Sequence, residues 1–153
     1  MDKNVAKGVA NSAEHGIINI SNAKEEIEVH IVGKLDRNIY ECITEDIVTD
    51  DVIITEKQIQ HIKDSHPNDY ERFSEYFSEI LQSPNYIVEA NKPNTGVILK
   101  KIEENDDVFK TVLRIATSAD NERYKNSIIT FMKIDEKEWN RLLRNKKILY
   151  KNE

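Results

Sequence analysis

Thr55-Glu56-Lys57-Gln58-Ile59-Gln60-His61-Ile62-Lys63-Asp64-Ser65-His66-Pro67 is the stretch whose reading decides the fold. Thr55, with Gln58 three residues later, has the spacing of a capping box and marks a helix start. Pro67 marks its stop, because proline disfavours the helical conformation in the residue before it. The run Val52-Ile53-Ile54 just upstream reads as a short buried strand, so strand feeds directly into helix. His61 and His66 are two of the four histidines in the chain. At roughly 100° per residue, positions five apart differ by about 140°, so an undistorted helix cannot present both on one face. A His-x-x-x-His metal pair needs the i,i+4 spacing, which speaks against a metal site; no metal or cofactor is expected. Ile59 and Ile62 mark the buried side, and His66 continues their row. His61 lies off that stripe, free to line a cleft, whereas His66 reads as a packed residue, a cap or a dipole partner in the last turn.

Beyond Pro67, Asn68 or Asp69 can cap a second helix running to about Gln82. Tyr70, Phe73, Tyr76, Phe77, Ile80 and Leu81 give it one broad apolar stripe at spacings of three and four. Ser83-Pro84-Asn85 ends it. Four strands are then expected: Tyr86–Ala90, Gly96–Ile102, Phe109–Ile115 and Ser127–Ile134. They are separated by Asn91-Lys92-Pro93-Asn94, Glu104-Asn105-Asp106-Asp107 and the polar loop Ser118–Asn126. A last helix over Asp135–Arg144 precedes the segment Lys147-Ile148-Leu149-Tyr150. Paired helices followed by an antiparallel meander indicate an α+β fold, not alternating βαβ units.

Upstream, residues 1–24 are polar and read as a poorly ordered lead to a domain spanning 25–153. In Glu26-Ile27-Glu28-Val29-His30-Ile31 the alternation buries Ile27, Val29 and Ile31 and leaves His30 wet. After the turn Gly33–Arg37, a partner strand over Asn38–Ile43 completes an extra N-terminal β-hairpin.

The chain has 153 residues, 39% hydrophobic and 33% charged, enough for one packed domain. No apolar run approaches the ~20 residues of a membrane helix, and the N-terminus lacks the apolar stretch of a secretory signal. No membrane partner is expected. The single cysteine, Cys42, rules out an internal disulfide and reads as a small packed residue on a strand. The net charge is −6, unevenly spread: residues 1–100 carry 10 Lys and Arg against 18 Asp and Glu, and residues 101–153 carry 12 against 10. Arg141, Arg144, Lys146, Lys147 and Lys151 cluster near the end, and such a patch can bind phosphate on an acidic chain.

Polar residues inside apolar strands are the candidates for chemistry. Arg114 interrupts Val112–Ile115, Thr130 and Ser127 lie in the last meander strand, and Lys100 and Lys101 follow Val97-Ile98-Leu99. A half-wet sheet explains each one singly. Together with His61 and a tyrosine they are the parts for metal-free RNA cleavage. A histidine takes the 2′-hydroxyl proton, cations stabilise the phosphorane-like transition state, and a second histidine or a tyrosine serves the leaving oxygen. Arg114 reads either as a phosphate-binding cation or as the partner of a buried carboxylate.

The run Ile47–Thr55, then Gln60-His61-Ile62 with His66-Pro67-Asn68-Asp69-Tyr70, resembles the phage-type nucleases of the barnase–EndoU–colicin–RelE (BECR) superfamily. So do Ser83–Ile87, Asn91–Thr95, Asn126–Phe131 and Asn145–Lys151; the resemblance covers Glu28 to Glu153 and leaves residues 1–24 outside. It implies N-terminal helices packed on an antiparallel sheet of about four strands, with the active site on the sheet's open face. Carried over motif by motif, it gives His61, His66, Arg114, Thr130 and Tyr150 as catalytic residues. Lys100, Lys101, Ser127, Arg144 and Lys147 are read beside them as substrate-binding residues. It implies a phage or mobile-element endoribonuclease or toxin acting on RNA, transfer RNA among the candidates, in the host-cell cytoplasm or carried on the virion. A cognate inhibitor or a phage head protein is the expected protein partner. The competing expectation is a catalytically silent protein-binding or head-associated structural domain.

Overall fold

Thr55 and Gln58 close the expected capping box: Gln58 N donates to Thr55 Oγ1 at 3.1 Å, and Thr55 N donates to Gln58 Oε1 at 3.3 Å. The computed structural model describes residues 17–21 and 26–152, with side chains from residue 28. Its strands are β1 (Ile17–Ser21), β2 (Glu26–Lys34), β3 (Asp51–Thr55), β4 (Tyr86–Glu89), β5 (Thr95–Ile102), β6 (Asp107–Arg114), β7 (Asn126–Ile134) and β8 (Ile148–Lys151). The helices are α1 (Arg37–Tyr40), α2 (Glu56–Ser65), α3 (Asp69–Phe73), α4 (Phe77–Gln82) and α5 (Glu136–Asn145).

The fold is α+β, as expected, and β4–β7 form the antiparallel meander. The sheet is larger than the four strands anticipated. Eight strands run in the order β1-β2-β3-β7-β6-β5-β4-β8, and every pair is antiparallel except β3–β7, which is parallel. Lys147–Tyr150, too short to classify from periodicity, supplies most of β8 on the free edge of β4. Of the lead 1–24, residues 17–21 pair with β2, and the remainder lies outside the described residues.

Three local expectations fail for identifiable reasons. Asn38–Ile43 is no strand: Asp36 caps α1 by accepting from Asn38 N at 2.9 Å, and β2 pairs with β3 instead. Cys42 therefore sits just after α1, half-buried against the core, where burial pushes its thiol up to about 11. His30 is not a plain surface residue, because its ring is largely covered and bonds Glu56 at the start of α2. The helix expected from residue 68 to Gln82 is broken by a 3₁₀ turn at Ser74–Tyr76. Asn68 adopts a left-handed φ of 75° and makes no side-chain cap, while Asp69 accepts from Lys133 N of β7. The tighter turn brings positions three apart into line, and it stacks Phe73 on Tyr76 with centroids 6.4 Å apart.

One face of the sheet carries the main core. Ile59 and Ile62 of α2 and Phe73, Phe77 and Ile80 from the following helices pack on Ile98, Phe109, Leu113, Ile128 and Phe131. Phe131 joins the layers, edge-on to Phe77 at 4.7 Å and stacked on Phe109 at 5.4 Å. On the opposite face α5 lays Leu142 against Val88, Val97 and Leu99 and so covers the β4–β5 side. The β6–β7 side of that face stays open.

At the parallel junction the fully buried Asn126 serves three backbone groups. Its Oδ1 accepts from Ala116 N at 2.8 Å, and its Nδ2 donates to Thr49 O at 2.7 Å and Asp51 O at 3.0 Å. Leaving a buried backbone group unpaired costs roughly 1–3 kcal/mol. Asn126→Ala is therefore expected to lose at least about 3 kcal/mol, and Asn126→Asp, which has no amide donors, to be similarly damaging. Urea unfolding of the three proteins checks this; an Asn126→Ala midpoint equal to wild type would show the clasp to be idle.

Candidate active site

Parallel pairing of β3 with β7 is limited to Val52 opposite Asn126 and Ile53 opposite Ser127. Beyond it β3 turns straight into α2, so the outer edge of β7 is flanked by a helix. Ile59 and Ile62 enter the core, while Lys57, Gln58 and His61 turn toward the open face. There they meet Ile129, Thr130 and Met132 of β7 across a cleft of about 660 Å³. His66 lines the same cleft. The angular count that separated the two histidines assumed an unbroken helix, but His66 has φ −136° and ψ 77° and has already left it. His66 is the C-cap of the helix, as one of its expected roles had it, its N–H donating to Ile62 O at 2.8 Å, while its side chain lines the cleft.

A β-bulge shapes the floor. The β6–β7 register passes from Val112 opposite Thr130 to Leu113 opposite Ile128, which leaves Ile129 unpaired. An extra residue bends its strand and re-aims the side chains beside it. Ile129 is exposed and lies between the histidine cleft and a second depression of about 780 Å³ under α5.

Arg114 faces that second depression and a third of about 580 Å³, which also holds Ser127 and Thr55. The sequence offered a phosphate-binding cation or a carboxylate partner for this residue, and the structure gives it a carboxylate partner. Nη1 and Nη2 grip Asp120 at 2.7 and 3.0 Å, and Nη1 also donates to Ile115 O at 2.6 Å. That end-on grip leaves the Nε–H and one Nη2–H, which form the side edge of the fork and can take a phosphate in bidentate fashion. Asp120 also accepts from Thr117 N at 2.8 Å. Hydrogen bonds from Arg114 and Thr117 hold its carboxyl well below the usual range, and its hydrogen bond to Asp120 raises the guanidinium further.

The three depressions are contiguous, sharing Gln58, Arg114 and Ile129. Their walls carry Lys57, Lys92, Lys110, Arg114, Arg123, Lys125, Arg141 and Lys146 against a single carboxylate, Glu89. Some of this charge is answered nearby: Arg141 and Lys110 pair with Glu138, and Lys125 pairs with Asp51. Lys57, Lys92, Arg123 and Lys146 make no ion pair among the described residues.

His61, His66, Arg114, Thr130 and Ser127 thus share one open face. The other expected site residues do not. Lys100 points into the helix layer, buried, with Nζ 3.4 Å from Ser83 Oγ and 3.8 Å from Glu79. Lys101 lies by the β5–β6 turn beside Asp106. Tyr150 pairs across from Ile87 and packs on the core face, at the far edge of the sheet from α2. Arg144 and Lys147 are exposed outside the groove, whereas their neighbours Arg141 and Lys146 line it. Lys110 was missed, although it shares an alternate face with Val112 and Arg114. Arg123, Tyr124 and Lys125 were missed because the loop before β7 read only as turn chemistry. Among the described residues no group of three or more His, Cys, Asp or Glu is placed to hold a metal, and no helix is long and apolar enough to cross a membrane.

A family model described as phage-Barnase-EndoU-ColicinE5/D-RelE like nuclease2 matches residues 27–151, and the chain belongs to this family of nucleases. No curated protein and no solved structure matches it.

The Arg114–Asp120 pair makes stability sensitive to acid. The folded pKa of Asp120 is depressed, so its contribution is complete above the unfolded value of about 3.9. It is lost as pH falls from there toward the folded value. Asp120→Asn is expected to melt below wild type at pH 7, with the two melting curves converging as pH is lowered below about 4. A constant offset between them at every pH would show that the pair is not the titrating element.

Proposed function

We propose that this member of the phage nuclease family is an endoribonuclease that needs no metal, cutting by internal attack of the 2′-hydroxyl to leave a 2′,3′-cyclic phosphate. The observation that carries the reading is the pairing of two histidines and Thr130 in one cleft with the open edge of Arg114 in the groove beside it. His61 takes the 2′-hydroxyl proton as that oxygen attacks phosphorus. The P–O5′ bond breaks, and His66 returns a proton to the leaving 5′-oxygen, a division of labour in which a neutral imidazole accepts and a protonated one donates. Arg114 meets the non-bridging phosphate oxygens, where charge grows in the transition state. Thr130 orients the reacting phosphate, and the lysines along the groove hold the flanking backbone. The substrate is RNA because the nucleophile is the 2′-hydroxyl; transfer RNA in the host cytoplasm is the first candidate.

A second reading, a catalytically silent domain that binds an inhibitor or a phage head protein, draws on one observation. A catalytic histidine is commonly oriented by a carboxylate, yet Glu56, on the same helix as His61, bonds His30 instead.

The test is incubation of the purified protein with total or transfer RNA in EDTA, followed by end analysis of the products. Cleavage to 2′,3′-cyclic ends is expected, with matched DNA left intact. His61→Ala and His66→Ala should each lose on the order of 100-fold or more in rate with melting temperatures near wild type. Activity that disappears in EDTA would demand a metal mechanism, and a fully active His61→Ala protein would remove that residue from the reaction.

A further inference from the structure

The segment between β6 and β7 is braced along its length. Arg114 and Thr117 hold Asp120, Asn126 holds Ala116, and Ser118 Oγ donates to Asp46 Oδ2 at 2.7 Å. Near its end, Arg123 N donates to Asn121 Oδ1 at 2.8 Å and Tyr124 N to Asn121 O at 2.9 Å. This scaffold presents Arg123-Tyr124-Lys125 to the depression that holds Arg114 and Ser127. Tyr124 is 59% exposed, the most exposed large hydrophobic side chain among the described residues. Its neighbours in the chain are both cations, and it lines the same depression as the Arg114 guanidinium. Nothing in the core requires an aromatic ring there.

We infer that Tyr124 is a stacking platform for an unpaired nucleobase next to the scissile phosphate, with Arg123 on the adjoining phosphate. This rests on the nuclease reading above and names a residue that recognises its substrate. A ring fixed on a rigid loop gives up little conformational freedom when a base covers it, and every base offers a π-face, so such contacts tolerate sequence but require single strands. The charge around the ring favours a polyanion over a protein partner, because the groove walls carry eight cations and one carboxylate.

The test uses the full chain and a fluorescein-labelled single-stranded 2′-O-methyl oligonucleotide, which cannot be cleaved by 2′-hydroxyl attack, with anisotropy as the readout. Tyr124→Ala is expected to bind roughly 10–100-fold more weakly with an unchanged melting temperature. Tyr124→Phe and Tyr124→Trp should bind near wild type, and the same oligonucleotide in a duplex should show little dependence on residue 124. Oligonucleotide binding by Tyr124→Ala equal to wild type would overturn the platform and leave the nuclease reading standing; so would a Tyr124→Phe protein as weak as Tyr124→Ala, which would make the hydroxyl, not the ring, the contact. Wild-type protein that neither binds the oligonucleotide nor cuts RNA would sink both. Normal oligonucleotide binding by a Tyr124→Ala chain that has lost a protein partner would reassign the residue to a protein interface.

Discussion

The hydrogen bonds of one buried side chain, Asn126, hold the two halves of the molecule in register. Its amide bridges the backbone before and within β3 to the backbone after β6, at the single place where the sheet changes from antiparallel to parallel. A parallel pair of only two residue pairs has little ladder of its own, so a side chain that donates twice and accepts once supplies the missing connections. What the clasp fixes is the approach of α2 to β7, and that approach decides whether the histidines and the strand residues share a cleft. Asn126 itself lies beneath the groove and is not among the residues lining it.

The second constraint is electrostatic. The chain is acidic overall, yet the charged side chains that line the open face of the sheet are cations, Glu89 excepted. Carboxylates near the groove are tied up: Asp120 by Arg114, Glu138 by Arg141, and Asp51 by Lys34 and Lys125. These pairs fix the cations in place and lower the local negative potential at once. An acidic exterior around a basic groove narrows the directions from which a polyanion can approach.

The helix at residues 56–65, the meander and the closing helix were legible because caps, proline and alternation are local signals. The candidates His61, off the buried stripe of its helix, and Arg114 and Thr130, polar within apolar strands, could be picked out the same way. The rest depended on long-range facts. Which face a lysine takes depends on register: Lys100 alternates with Leu99 and Lys101, and only the packing of the helix layer reveals that it points inward. The two histidines looked incompatible because a helical wheel does not know that the chain leaves the helix at His66. Tyr150 carried a family motif, but β8 joins the edge of the sheet remote from α2, a pairing that no local pattern announces. Tyr124 was hidden inside what reads as an ordinary polar loop.

The clasp also sets a schedule for the molecule's own synthesis. The contacts from Asn126 to Thr49 and Asp51 join positions 77 and 75 residues apart in the chain. A growing chain therefore exposes α2 and both histidines long before it contains the residue that seats them. Closing so long a loop precedes any reward from the contacts it makes, which slows assembly. The groove is therefore completed only after Asn126 has been added, late in the making of the chain.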